Sequence, residues 1–318
     1  MAQTLLEYLD ALDERGLAWP QPPDPQPLPA KPTLQPLPEV RAVTWSVYGT
    51  LLTISDGELL HLHPEAFRNQ IALQKTIEEF NMWHSMTRKP GQPWEYFLRQ
   101  YEDMVRLFQM AGTRNKGDVP HVNSSRVWER LIGRLQKKEY TWDRGTYGDA
   151  ANYADKVAYF FHANLQGVRA APHAADTLIR LMQRGSVIGM LADTQPFTLA
   201  QLLKALEVRD RLPAGEALFT PSLLTESHRV GVRKPSPTLY EWAVRRAHKS
   251  GFEPHQVLHV SHRLTDDLSI AREFGFRTAL YVGDRNSCRV TSEQLNDLDL
   301  KPDRMVTDLT QVLDLVVS

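Results

Sequence analysis

The chain has 318 residues, 42% hydrophobic and 24% charged, which excludes disorder throughout and leaves room for one large or two modest domains. Lys and Arg (37) almost cancel Asp and Glu (38), so no overall field draws the protein to nucleic acid or to an anionic membrane, and any partner must be recognised locally. A single cysteine, Cys288, permits no intrachain disulfide and suits a reducing compartment. No apolar run is long enough to span a bilayer, and the N-terminus lacks the basic start and apolar core of a signal peptide, so a cytoplasmic location is expected.

Residues 1–16 read as a short helix, with Leu5, Tyr8, Leu9 and Leu12 on one face and Gly16 as a stop. That face needs something to pack on, either the chain's own globular body or a protein partner. Nine of the 21 prolines fall between Pro20 and Pro38, the composition of a stiff extended connector. Residues 1–38 therefore form a helix and linker ahead of the globular part. At 41–48 a short apolar run rich in β-formers meets Gly49 and Thr50 and reads as a buried strand ending in a turn. From 59 to 167 the periodicity is helical, with segments at 66–84, 94–110, 125–137 and 149–165. Trp83, Trp94, Tyr101, Phe108 and Trp128 stand at helical spacings and are expected to form the core of this insert. His61 and His63 lack a third metal ligand in view and read as a solvated loop.

From 168 to 318 helices (174–184, 198–206, 237–250, 266–274) alternate with strands (187–192, 257–260, 277–282). Alternation of this kind predicts an α/β fold, a Rossmann-like doubly wound parallel sheet interrupted by the helical insert after its first strand. Ligands of such sheets lie at the carboxyl ends of the strands, so the residues just after strands carry the chemistry. Asp297-Leu298-Asp299 reads as a surface segment.

Four strand ends in order carry a resemblance. Val43-Thr44-Trp45-Ser46-Val47-Tyr48-Gly49-Thr50-Leu51 resembles the first motif of the haloacid dehalogenase-like superfamily, in the branch with aspartate, any residue, tyrosine, glycine, threonine and leucine; Ser46 stands at the aspartate. Ile188 to Thr194 resembles the second motif, with Ala192 at its hydroxyl residue and Asp193 and Thr194 after it. Arg233-Lys234-Pro235 keeps the lysine of the third. Val257 to Asp267 resembles the fourth, with His262 at its first aspartate and Asp267 at its second acidic position. The resemblance covers residues from about 40 onward and implies a core split into 39–58 and 168–318, with 59–167 as a cap over the site.

In that family the first aspartate is the nucleophile and, in phosphatases, holds Mg²⁺ together with the first aspartate of the fourth motif. A hard ion prefers carboxylate and water oxygens to hydroxyl and imidazole, so with Ser46 and His262 at those positions no metal or other cofactor is expected. The resemblance thus implies Ser46, Tyr48, Lys234, His262 and Asp267 as degenerate catalytic positions, and Thr50, Asp193, Thr194 and Arg263 around a small anionic ligand. Lys234 and Asp267 have two readings, a fold-supporting ion pair or an anion recogniser built on Lys234 with Arg263 assisting. The leading expectation is a non-catalytic binding or regulatory protein. The alternative is an active hydrolase, either phosphatase- or dehalogenase-like with help from its substrate, or serine-based, with Ser46 beside His262 and Asp266 or Asp267 orienting the imidazole.

Overall fold

The computed structural model of the chain describes residues 2–86, 91–212 and 217–316. Its centre is a six-stranded sheet of β1 (Ala42–Trp45), β2 (Val187–Ala192), β3 (Leu224–Glu226), β4 (Val257–Ser261), β5 (Arg277–Tyr281) and β6 (Arg304–Val306). The strands lie in the order β6-β5-β4-β1-β2-β3, and every pairing is parallel. All four residues of β1 are buried, as a strand covered on both faces requires. Successive strands spread from β1 in both directions, so the crevice at its carboxyl end is the switch point of the sheet. The predicted strand at 41–48 stops at Trp45 because Val47 begins a turn, its carbonyl accepting from the amides of Thr50, Leu51 and Leu52. β3 and β6, three residues each, were too short to stand out as patterns.

Before the helical insert the chain runs through Leu52–Ile54 and on its return through Val168–Ala170, and these two segments pair antiparallel. Between them stand α1 (Ala66–Glu79), α2 (Pro93–Gln109), α3 (Ser124–Gln136) and α4 (Ala150–Leu165). The starts of α3 and α4 are set by Asn123 and Asp149, whose side chains accept from the amides of Arg126 and Asn152. α1 ends at Glu79 rather than 84, because Asn81 takes a left-handed conformation (φ 49°) and a single turn at Met82–Ser85 follows. Phe97 stacks on Trp128 at 5.6 Å and Tyr101 lies 4.8 Å from Phe161, giving the insert its own aromatic core. Trp83 does not join it; it is 49% exposed. Likewise the helix expected at 266–274 begins as a π-helical turn at Leu264–Leu268 and becomes α-helical only over Ser269–Glu273.

The insert is tied to the sheet layer at several points. Gln166 is buried, donates to the carbonyls of Ser55 and Glu58, and accepts from the Leu60 amide, so it joins the outgoing and returning chains. A short antiparallel ribbon pairs Val119–Pro120 with Val232–Arg233. The N-terminal helix, Leu5–Glu14, is closed at its start by a capping box of Thr4 and Glu7 and buries Tyr8, Leu9 and Leu12 in the core of the insert. Asp10 meets Lys204 and Arg209, and Arg15 meets Glu79. The apolar face read from the sequence is therefore packed within the chain. The proline-rich connector continues along the body: Leu28 donates to Val282, Thr33 bridges Met305 beside the edge strand β6, and Leu37 donates to Leu315. Among the described residues no helix is long and apolar enough to cross a membrane.

Where the connector crosses the end of the insert, Gly167 leaves space for it. A Cβ built on Gly167 falls on the backbone carbonyl of Pro20, which cannot yield as a side chain would. Gly167→Ala is expected to lift the connector and cost about 1–3 kcal/mol, the range of an overpacked interior, read as a lower urea midpoint. An unchanged midpoint would show that the connector contributes nothing to stability there.

Candidate functional site

The crevice at the end of β1 is assembled from four segments. Ser46 follows β1, and its amide donates to Val260 of β4 at 3.0 Å. Asp193 and Thr194 follow β2, His262 and Arg263 follow β4, and Lys234 follows the Val232–Arg233 ribbon strand. Parallel pairing of β1 with β2 and β4, Trp45 opposite Met190 and Val260, brings these ends level.

Beneath Ser46 lies a closed polar network. The Lys234 ammonium forms an ion pair with Asp267 Oδ2, both side chains almost wholly buried. Asp267 Oδ1 accepts from Tyr240 Oη and from His259 Nε2, each at 3.0 Å. Lys234 Nζ also reaches Ser46 Oγ and His259 Nε2, each at 3.4 Å. His259 Nε2–H donates to Asp267, so Lys234 touches that nitrogen without bonding to it, and Nδ1 lies 3.2 Å from both the hydroxyl and the carbonyl of Thr44. Burial pushes the Asp267 carboxyl up, but Lys234 and His259 together outweigh it and hold it well below the usual carboxylate range. Burial lowers Lys234, with Asp267 opposing, and lowers His259 so that its imidazole is neutral. One cation faces one anion here, and the Asp267 carboxylate accepts from Lys234, His259 and Tyr240.

His262 occupies a different niche. The Thr50 hydroxyl accepts from the His262 amide at 3.2 Å and meets Nδ1 at 3.1 Å. The ring is wedged between two glycines: a Cβ on either Gly49 or Gly57 would come within 2.7 Å of Nε2. Both glycines have positive φ, so the turn geometry and the space for the ring depend on the same residues. Burial first, then Arg263, pushes the His262 imidazole well below its ordinary value. Ser46 and His262, which the serine-based alternative sets side by side, are not hydrogen-bonded to each other: the side-chain partner of Ser46 is Lys234, and that of His262 is Thr50. Asp266 is exposed and bonded to its neighbour Thr265, away from any imidazole.

Arg263 is equally committed. Its guanidinium meets Asp193 at 3.1 Å and Glu58 at 3.2 Å, and the other oxygen of Asp193 accepts the Lys234 amide at 2.9 Å. The guanidinium offered as an assistant to Lys234 in the anion-recogniser reading is thus held by two carboxylates, Asp193 and Glu58. Thr194 bonds His228 and Ser227. Tyr48 donates to Gln201 at 2.8 Å and meets Thr198 at 2.9 Å. Above this floor, between insert and sheet, a cavity of about 460 Å³ is lined by Ser46, Tyr48, His61, His121, Gln195 and Arg233, among others. Among the described residues no group of three or more His, Cys, Asp and Glu side chains is placed to hold a metal ion.

The model of the haloacid dehalogenase-like hydrolase family matches residues 40–275, which include β1 to β4, the insert and all four strand ends described above. The chain belongs to the haloacid dehalogenase-like hydrolases. A curated relative, glyceraldehyde 3-phosphate phosphatase of Pyrococcus furiosus, is 24% identical over 164 residues, a match covering 50% of this chain and 60% of the relative. Among solved structures, 2-haloacid dehalogenase from Pseudomonas syringae pv. Tomato DC3000 is 19% identical, with a TM-score of 0.48 over 86% of this chain and 97% of that one. A dehalogenase solved with an intermediate complex is 18% identical, with a TM-score of 0.46 over 88% of this chain and 99% of that one.

Reading the haloacid dehalogenase-like motifs in sequence missed His259, Tyr240, Gln195, His121 and Glu58. Only His259 left a signal, as the one basic residue in a short, fully buried strand. The others come from helices, turns and the insert, and nothing in their spacing ties them to the strand ends.

Proposed function

We propose that this haloacid dehalogenase-like protein does not use the carboxylate-and-magnesium mechanism and works in the cytoplasm as a binding or regulatory protein for a small anionic ligand. The observation that carries the reading is the completeness of the network under Ser46. Lys234 is neutralised by Asp267, Asp267 is saturated by Lys234, His259 and Tyr240, and no carboxylate stands free at the end of β1. Mg²⁺ does not fit the residues present. Ser46 and His262 offer a hydroxyl and an imidazole where a hard ion requires carboxylates, and the His262 ring lies between Gly49 and Gly57 with Nδ1 engaged by Thr50. No step is therefore routed through a metal.

The serine-based alternative has little support. A base for Ser46 must accept its proton, whereas His262 is turned to Thr50 and the nearest amine, Lys234, is held as an ammonium by Asp267. Calorimetric titration of the full chain with Mg²⁺ is expected to give no saturable heat at millimolar concentrations. Saturation at one equivalent per chain, lost in Asp267→Asn, would overturn the reading.

A further inference from the structure

The charged side chains of the cavity between insert and sheet sum to zero, but one of its two cations has no ion-pair partner among the described residues. Four charged side chains line it: Glu58, Asp193, Arg233 and Arg263. Arg263 is consumed by the two carboxylates. Arg233 is exposed, forms no ion pair with any described residue, and is fixed in place by its backbone pairing with Val119. The adjoining turn is tied as well, since the His121 amide donates to Gly231 at 3.1 Å. Arg233 is thus a cation on a rigid ribbon at the cavity, free to meet a ligand.

Two unused polar atoms lie nearby. His61 Nδ1 and His121 Nε2 are both shielded from solvent without a hydrogen-bond partner. Buried polar atoms left without partners are costly, so native chains give them a partner from protein, water or ligand. Burial, aided by Arg233, pushes His61 down to about 4. His121 is pushed down to about 3, by burial first and then by the neighbouring histidines and Arg233. Both rings are therefore neutral at pH 7 and add hydrogen bonds without adding charge. The remainder of the wall includes Leu59, Leu62, Val105 and Val122. At about 460 Å³ the space suits a small organic molecule.

We infer that this cavity binds an organic monocarboxylate with an apolar body, its carboxylate anchored by the Arg233 guanidinium and its body lying along the Leu59, Leu62, Val105 and Val122 wall. The assignment rests on the reading of the cavity as a binding site rather than a hydrolytic one. A single guanidinium neutralises a single charge and matches a planar carboxylate in two parallel hydrogen bonds. A phosphate dianion would bring a second charge toward Asp193 and Glu58 with no cation left to meet it. Lys234 does not supply one, because it is sealed beneath Ser46 by Asp267.

The test is calorimetry on the full chain with hexanoate, phenylacetate, phenyl phosphate and inorganic phosphate. Hexanoate and phenylacetate are expected to bind at one equivalent with a Kd below about 1 mM. Loss of the charged partner in Arg233→Gln is expected to weaken both at least about tenfold. Arg233→Lys, which keeps the charge and loses the fork, should fall between. Arg233 is exposed, so both variants are expected to keep the wild-type urea midpoint, and calorimetry then reports binding alone. Three results overturn the assignment: no binding of either carboxylate, phenyl phosphate binding at least as tightly as phenylacetate, or a Kd unchanged in Arg233→Gln. None of these measures hydrolysis, which turnover assays read separately, so failure of the ligand assignment and failure of the non-catalytic reading are distinguishable.

Discussion

Asp267→Ala is expected to destabilise the fold by about 3–5 kcal/mol, the cost of leaving a buried charge without its partner. The expectation follows from what surrounds Asp267. Lys234 is almost wholly buried, and the groups left near its ammonium are the Ser46 hydroxyl and the neutral imidazole of His259. Tyr240 and His259 lose an acceptor in the same step. Removing both charges, as in Lys234→Met with Asp267→Leu, is expected to cost less than the single substitution, because no unpaired ion remains. Urea denaturation of the two variants beside the wild type measures this directly. A single variant within about 1 kcal/mol of wild type would mean that Lys234 finds water, and the sealed network would be wrong.

A second large effect is expected from acid. His61 and His228 are pushed down to about 4 and His121 to about 3, in each case chiefly by burial, and burial also lowers His162, His259 and His262. An unfolded imidazole titrates near 6.5. Between that value and the folded one the unfolded chain holds more protons, so stability falls as the pH drops from about 6.5 toward 4. At pH 5 each of the first three imidazoles accounts for about 2 kcal/mol, which together rivals a typical domain stability of about 5–15 kcal/mol. The lowered Asp267 carboxyl adds its own loss only below about 4, where the unfolded carboxylate begins to protonate. Urea midpoints measured from pH 7.5 down to 5 should therefore fall steeply, with net proton uptake on unfolding. A flat profile over that window would mean that the buried histidines are hydrated or already charged in the folded chain.

The fold was legible because local and global signals agree. The alternation of strands and helices after 168 and the helical run before it reflect burial on two faces of a parallel sheet and on one face of each helix, and burial leaves a period in the sequence. The site was legible where it lies at strand ends, since parallel pairing brings Ser46, Asp193 and His262 level whatever the intervening loops do. Sequence did not determine which side chains bond to which. Ser46 and His262 follow adjacent strands, but Thr50, four residues beyond Ser46, competes for the imidazole and holds it. Arg263 is paired by Glu58, a residue just ahead of the insert and more than two hundred positions away, through a contact that has no sequence period at all. The N-terminal helix showed its apolar face plainly; only the structure shows that the insert and Lys204 receive it.

The most direct test of the central claim is turnover. The full chain, purified alongside Ser46→Ala, is assayed with p-nitrophenyl phosphate and with 2-chloropropionate, each with and without Mg²⁺. Rates at the uncatalysed background are expected for both proteins and both substrates, with no dependence on Mg²⁺. Turnover of either substrate above background that disappears in Ser46→Ala would contradict the claim, because a working nucleophile would then stand at the end of β1.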